Sequence, residues 1–138
     1  MSNRIDVVST VIMRDGRLLL ACRSVGTSFA GHWETPGGKI EPGENPAEAV
    51  RRELREEMDV GTTNERGWSS VPPFDLDPPT VSKPLRMLFL EAEIGDDEPR
   101  ALASSEVRWC TRDEVRSLPM TPATNAVRGN LLALFDRA

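Results

Sequence analysis

Apolar and polar positions fall in short runs along the chain, and the period of those runs changes near residue 46. Residues 5–13 (IDVVSTVIM) and 16–23 (GRLLLACR) are aliphatic and β-branched, and they predict two strands. Between them lie Arg14, Asp15 and Gly16, where Asp-Gly is a strong hairpin signal. Residues 85–94 (LRMLFLEAEI) predict a third strand and residues 106–110 (EVRWC) a shorter one. From Pro46 the period lengthens to that of a helix. Asn45 can cap it, Pro46 suits the first helical position, and Glu48 completes a capping box. Thr111 and Glu114 repeat that spacing ahead of a short helix (RDEVRSL). Thr121-Pro122 predicts the start of a last helix with Val127, Leu131, Leu134 and Phe135 on one face. Residues 69–84 (SSVPPFDLDPPTVSKP) are proline-rich and without period, so a long loop is expected. The alternation predicts one mixed α/β domain over residues 1–138, with helices covering a sheet.

Composition narrows the chemistry. A net charge of −5 disfavours broad binding to long nucleic acid, although a metal ion can still bring in a nucleotide. Cys22 and Cys110 lie far apart and form no paired motif, which fits a reduced, cytoplasmic setting. Arg4 and Asp6 flank the first apolar run, so neither a signal peptide nor a membrane span is expected there. The single His32 leaves little room for histidine catalysis or a zinc cluster. Carboxylates must carry the chemistry.

They are concentrated in one place. Glu44, Glu48, Glu53, Glu56 and Glu57 follow Gly37-Gly38, which reads as a glycine turn. On a wheel of about 100° per residue, Ala47, Val50, Leu54 and Met58 form an apolar stripe. Glu53, Glu56 and Glu57 crowd one flank of it, while Arg51 and Arg55 take the other and Arg52 lies beside Glu56. Such charge runs are usually solvated faces. Like charges one turn apart repel, however, and a helix shaped only for solubility would mix its signs. Hard divalent cations seek oxygen ligands and share them with phosphates, so this flank beside a glycine segment suits Mg²⁺.

Gly38, Glu44 and then Arg52-Glu53-Leu54-x-Glu56-Glu57-x-x-Val60 have a spacing that resembles the Nudix box, G-x5-E-x7-R-E-U-x-E-E-x-G-U with U aliphatic. Asp59 departs from it, standing where the family has glycine; Asp tolerates the left-handed backbone a helix end demands. The resemblance implies a Nudix-type α/β/α sandwich with a mixed β-sheet, and hydrolysis of a nucleoside diphosphate linked to another group. It implies Mg²⁺, with Mn²⁺ as an alternative, held by Glu53, Glu56 and Glu57 with the carbonyl of Gly37 or Gly38. Arg52 would orient the glutamates, and Glu44 would support the loop or a second metal.

Residues 32–44 (HWETPGGKIEPGE) look like the MutT-type branch, whose members convert nucleoside triphosphates to monophosphates and pyrophosphate. By that likeness Arg23 and Lys39 would approach substrate phosphates, and Asn125 resembles an asparagine that reads oxidised guanine. Each has a plainer reading, as a solvated cation or a helix cap. The branch places a glutamate six residues before the late tryptophan; here Trp109 is that tryptophan and the position is Ala103. Glu106 or Glu98 would replace it, or the base lies in the box. Base stacking would fall to Phe29, Trp33, Trp68 or Phe74. The expected partner is a nucleotide substrate, with no membrane, and monomer and homodimer both remain open. The preferred function is a nucleoside triphosphate pyrophosphohydrolase. The alternatives are hydrolysis of a dinucleoside polyphosphate, nucleotide sugar or capped RNA end, and a non-catalytic nucleotide-binding module.

Overall fold

The computed structural model describes residues 3–77 and 83–137. In chain order the elements are β1 (Ile5–Val11), β2 (Met13–Arg14), β3 (Arg17–Cys22), β4 (Trp33–Glu34), β5 (Gly37–Lys39) and α1 (Pro46–Met58). There follow β6 (Thr63–Gly67), β7 (Phe74–Leu76), β8 (Leu85–Glu93), β9 (Glu106–Cys110), α2 (Arg112–Ser117), α3 (Pro122–Ala126) and α4 (Arg128–Ala133). A 3₁₀ turn, Leu134–Asp136, ends them.

Two sheets organise the strands. One runs β5-β1-β8-β6, with β7 also on β8, and is mixed because β1 and β8 are parallel. The other joins β2, β3 and β4, with β9 on β3, and its pairings are antiparallel. Alternate residues of the central strands enter different cores. Leu18 and Leu20 of β3 face a cluster with Trp68, Phe89, Val115 and Leu131, whereas Leu19 and Ala21 face Val50, Leu54 and Met58 of α1. Strands buried on both faces need continuous apolar runs, which explains LLLA and MLFL. Helices therefore cover both sides of the strands, an α/β/α arrangement.

Four expectations change. Asp15 (φ 50°) and Gly16 (φ 76°) do make a hairpin, but it joins β2 to β3, while β1 belongs to the other sheet. The last helix is broken: Val127 (φ −110°, ψ 12°) leaves helical geometry between α3 and α4, although Val127, Leu131 and Leu134 are buried as expected. The expected loop at 69–84 contains β7, whose backbone pairs with β8; residues 78–82 of it lie outside the described residues. Gly37-Gly38 is no turn but the start of β5, antiparallel to β1 with Val8 opposite Gly38 and Ser9 opposite Gly37. The strand β6 went unpredicted, because TNERG carries no apolar alternation; its backbone pairing with β8 holds it.

Candidate active site

The local sequence fixes α1 firmly. Asn45 Oδ1 accepts from the Glu48 amide at 2.8 Å, and the Asn45 amide donates back to Glu48 Oε1 at 2.9 Å, as the capping box requires. At the other end Asp59 adopts the left-handed conformation (φ 56°, ψ 41°). Ala49, Val50, Leu54 and Met58 are buried, so the rotation of the helix is set and the acidic flank has a definite direction.

Glycine is required in β5 by close approach. A Cβ on Gly37 would run into the Val8 carbonyl, and one on Gly38 would run into the Glu53 carboxylate. The second collision ties the strand to the helix: a side chain on Gly38 would push the Glu53 carboxylate out of its place. Gly43 (φ 85°) supplies the actual turn between β5 and α1.

Arg52 organises this junction. Its guanidinium donates to both oxygens of Glu44 (2.6 and 3.0 Å), to Glu53 at 3.0 Å, to Glu56 at 3.4 Å and to the Lys39 carbonyl at 2.9 Å. Glu44 also accepts from the Glu41 amide at 2.9 Å. Its carboxyl is held below the usual range, chiefly by the bond from Arg52. Glu44 thus braces the loop.

Glu53, Glu57 and Glu34 behave in the opposite way. Burial raises the pKa of all three. Glu57 is pushed up to about 8, first by burial and then by the charges of Glu53, Glu34 and Glu56; a backbone hydrogen bond from Gly37 offsets only part. Glu34, in β4, was not singled out from the sequence. A single Glu between Trp33 and Thr35 carries no pattern of its own, and only the folding of β4 against β3 brings it to Arg23, whose Nη1 donates to it at 3.2 Å. Perturbed carboxylates gathered beside a cleft mark a functional site.

Two cavities share Arg23 and Glu34. The larger, about 330 Å³, is also lined by Gly37, Gly38, Lys39 and Thr124. The smaller, about 110 Å³, is also lined by Glu57 and Ala103. Arg23, Lys39 and both glycines thus line one cavity. Ala103 lines the cavity that Glu57 faces, whereas the carboxylates considered as its replacement are engaged elsewhere. Glu98 pairs with Arg14 at 2.8 Å, and Glu106, opposite Cys22 at the start of β9, pairs with Arg108 at 2.9 Å. Asn125 is exposed and its Oδ1 accepts from Arg128 at 3.0 Å; its neighbour Thr124 lines the cleft instead.

Among the described residues no group of three or more His, Cys, Asp or Glu side chains converges into a ready cage for a metal ion. The donor set nevertheless fits a hard divalent cation: Glu53 and Glu57 are desolvated, repel one another and lack enough base to neutralise them. Mg²⁺ habitually takes one or two carboxylates and completes its shell with water and phosphate oxygens.

The NUDIX domain model matches residues 3–135. The CTP pyrophosphohydrolase of Escherichia coli K12 is 36% identical over 122 residues, covering 86% of this chain and 84% of that protein. The solution structure of the E. coli ORF135 protein superposes with a TM-score of 0.75 at 31% identity, over 96% of this chain and 91% of that one. A MutT NUDIX hydrolase from Burkholderia pseudomallei gives 0.79 at 25% identity, over 93% and 98%. The chain belongs to the Nudix hydrolase family. Among the described residues no helix is long and apolar enough to cross a membrane.

Proposed function

We propose that this protein is a Mg²⁺-dependent nucleoside triphosphate pyrophosphohydrolase, releasing a nucleoside monophosphate and pyrophosphate, with Mn²⁺ able to replace Mg²⁺. The observation that carries this reading is the desolvated pair Glu53 and Glu57, set against β5 beside a cleft lined by Arg23 and Lys39. The similarity to a CTP pyrophosphohydrolase supports the substrate class.

Glu53, Glu56 and Glu57, with a carbonyl of Gly37 or Gly38, would hold the metal, which supplies charge neutralisation at the phosphates and a more acidic water. Arg52 keeps Glu53 and Glu56 in register with β5 through its bond to the Lys39 carbonyl. Arg23 and Lys39 bring positive charge to the cleft and bind the phosphate chain. One anhydride P–O bond breaks as water attacks phosphorus, and pyrophosphate leaves. Glu57 favours a proton near neutral pH only while no cation is beside it; ionised by the metal, it would take the proton from that water. Glu106 is held by Arg108 and serves β9 in this reading.

The test is product identity. Nucleoside triphosphates incubated with protein and Mg²⁺ are expected to give equimolar monophosphate and pyrophosphate. Release of orthophosphate with a nucleoside diphosphate would refute the assignment, and so would turnover confined to nucleotide sugars or dinucleoside polyphosphates.

A further inference from the structure

The larger cleft has one aromatic wall whose purpose the fold does not explain. Trp68 is 2% exposed and tilts against Phe89, Phe74 stacks on the same Phe89 ring at 6.1 Å, and Trp33 is 5% exposed beneath the Arg108 guanidinium. Those rings serve the core. Phe29 belongs to neither core cluster, and among the described residues it is the one Phe or Trp lining the 330 Å³ cleft. Its recorded ring neighbour is His32, edge-on at 6.0 Å.

Its backbone is also unusual. Phe29 has φ 59°, in the left-handed region that disfavours a bulky L-residue. The loop is nonetheless pinned there. Arg23 Nε donates to the Ser28 carbonyl at 2.6 Å while its Nη1 holds Glu34, and the His32 amide donates to the Phe29 carbonyl at 3.0 Å. A left-handed backbone held by hydrogen bonds at the edge of a cleft points to function.

The cleft's polar wall is already partnered. Ser9 and Thr35 share a short hydroxyl hydrogen bond, and the Thr35 amide donates to Thr124 Oγ1 at 3.4 Å. Hydroxyls that satisfy one another impose no strict donor–acceptor code on a ligand.

We propose that Phe29 is the stacking face for the nucleobase, held over the cleft by Arg23, so that the base is bound by stacking more than by a hydrogen-bond code. The inference rests on the nucleotide reading above. It requires a planar heterocycle and tolerates purines and pyrimidines alike, because every base offers a π-face.

The test compares binding of the four nucleoside monophosphates with binding of ribose 5-phosphate, by calorimetry, to wild type, Phe29→Ala, Phe29→Trp and Phe29→Gly. Wild type is expected to bind each monophosphate more tightly than ribose 5-phosphate. Phe29→Ala should lose about tenfold toward the nucleotides and nothing toward the sugar phosphate, while Phe29→Trp should retain the difference. Phe29→Gly relieves the left-handed backbone and keeps the fold, and it should show the same selective loss. No nucleotide advantage in wild type, or an equal loss for both ligands in the variants, would overturn the inference. The two proposals fail separately. Base-dependent binding without pyrophosphate release removes the reaction and leaves Phe29 its role; pyrophosphate release with nucleotide affinity unchanged in Phe29→Ala does the reverse.

Discussion

The two flanks of α1 use the same side chains to opposite ends. On one, Arg51 makes two hydrogen bonds to Glu65 at 2.9 Å, and Arg55 and Arg100 meet Asp59. Each charge there has a counter-charge, and Glu65 is held down to about 2, chiefly by Arg51. On the other, Glu53 and Glu57 are pressed together and desolvated, and Glu57 rises to about 8. Charge on the first flank fastens the helix to β6. Charge on the second is held at a cost to the fold, a cost that a bound cation would offset. Opposite handling of identical chemistry on one helix separates a structural face from a functional one more clearly than either face alone.

The largest expected effect breaks the comparison at its acidic side. Glu57→Gln should lower kcat by about 10²–10⁴-fold, the usual range for a lost general base, while the fold persists. Glu65→Gln, on the paired flank, should leave kcat within about twofold and lower the melting temperature instead. Steady-state kinetics and thermal denaturation on both variants would expose any inversion of that pattern.

Next come the adjacent glycines. Gly38→Ala pushes a methyl into the Glu53 carboxylate and should reduce kcat at least about tenfold with little loss of stability. Gly37→Ala meets the Val8 backbone, which cannot step aside, and should cost about 1–3 kcal/mol of stability. Denaturant unfolding set beside kcat would resolve the two, and equal behaviour would undo the distinction between a helix-facing and a sheet-facing glycine.

The flanks should also differ in the sign of their pH dependence. Glu57 has a folded pKa above its ordinary 4.5, so its contribution is complete below pH 4.5 and is lost as pH rises through about 8. Glu65 has a lowered pKa, so its contribution is present above pH 4.5 and is lost as pH falls through about 2. In chelator, the melting temperature should therefore decline from pH 5 to pH 8. Glu57→Gln should flatten that decline and leave the acid limb unchanged, and millimolar Mg²⁺ should raise the alkaline values.

The smallest effect concerns Asp59, where glycine would relax the left-handed cap but remove exposed pairs with Arg55 and Arg100. Asp59→Gly should change stability by less than about 1 kcal/mol and kcat not at all. Differential scanning fluorimetry and a kinetic assay suffice to check it.

Much of α1 was legible in the sequence, because its cap, its apolar stripe and its charges all follow local spacing. Arg52 and the box glutamates could be placed on one flank for the same reason. Glu34 and Thr124 were not singled out as site residues, and Phe29 was one of four rings considered for base stacking, because tertiary folding alone carries β4, the loop before it and α3 to the same cleft. Asn125 illustrates the limit: one residue along a short helix separates a cleft-lining side chain from an exposed one. Gly37-Gly38 shows another, since a glycine pair looks alike whether a turn or a close approach demands it.

The central claim is that the acidic flank, which Arg52 alone does not neutralise, takes up a divalent cation. The most direct measurement is nucleoside triphosphate hydrolysis by protein stripped with excess chelator, followed by back-titration with Mg²⁺. Activity is expected to be absent in chelator and to return with saturable dependence on Mg²⁺ in wild type, and in Glu57→Gln to return to no more than about 1% of that level. Undiminished turnover in excess chelator would contradict the account.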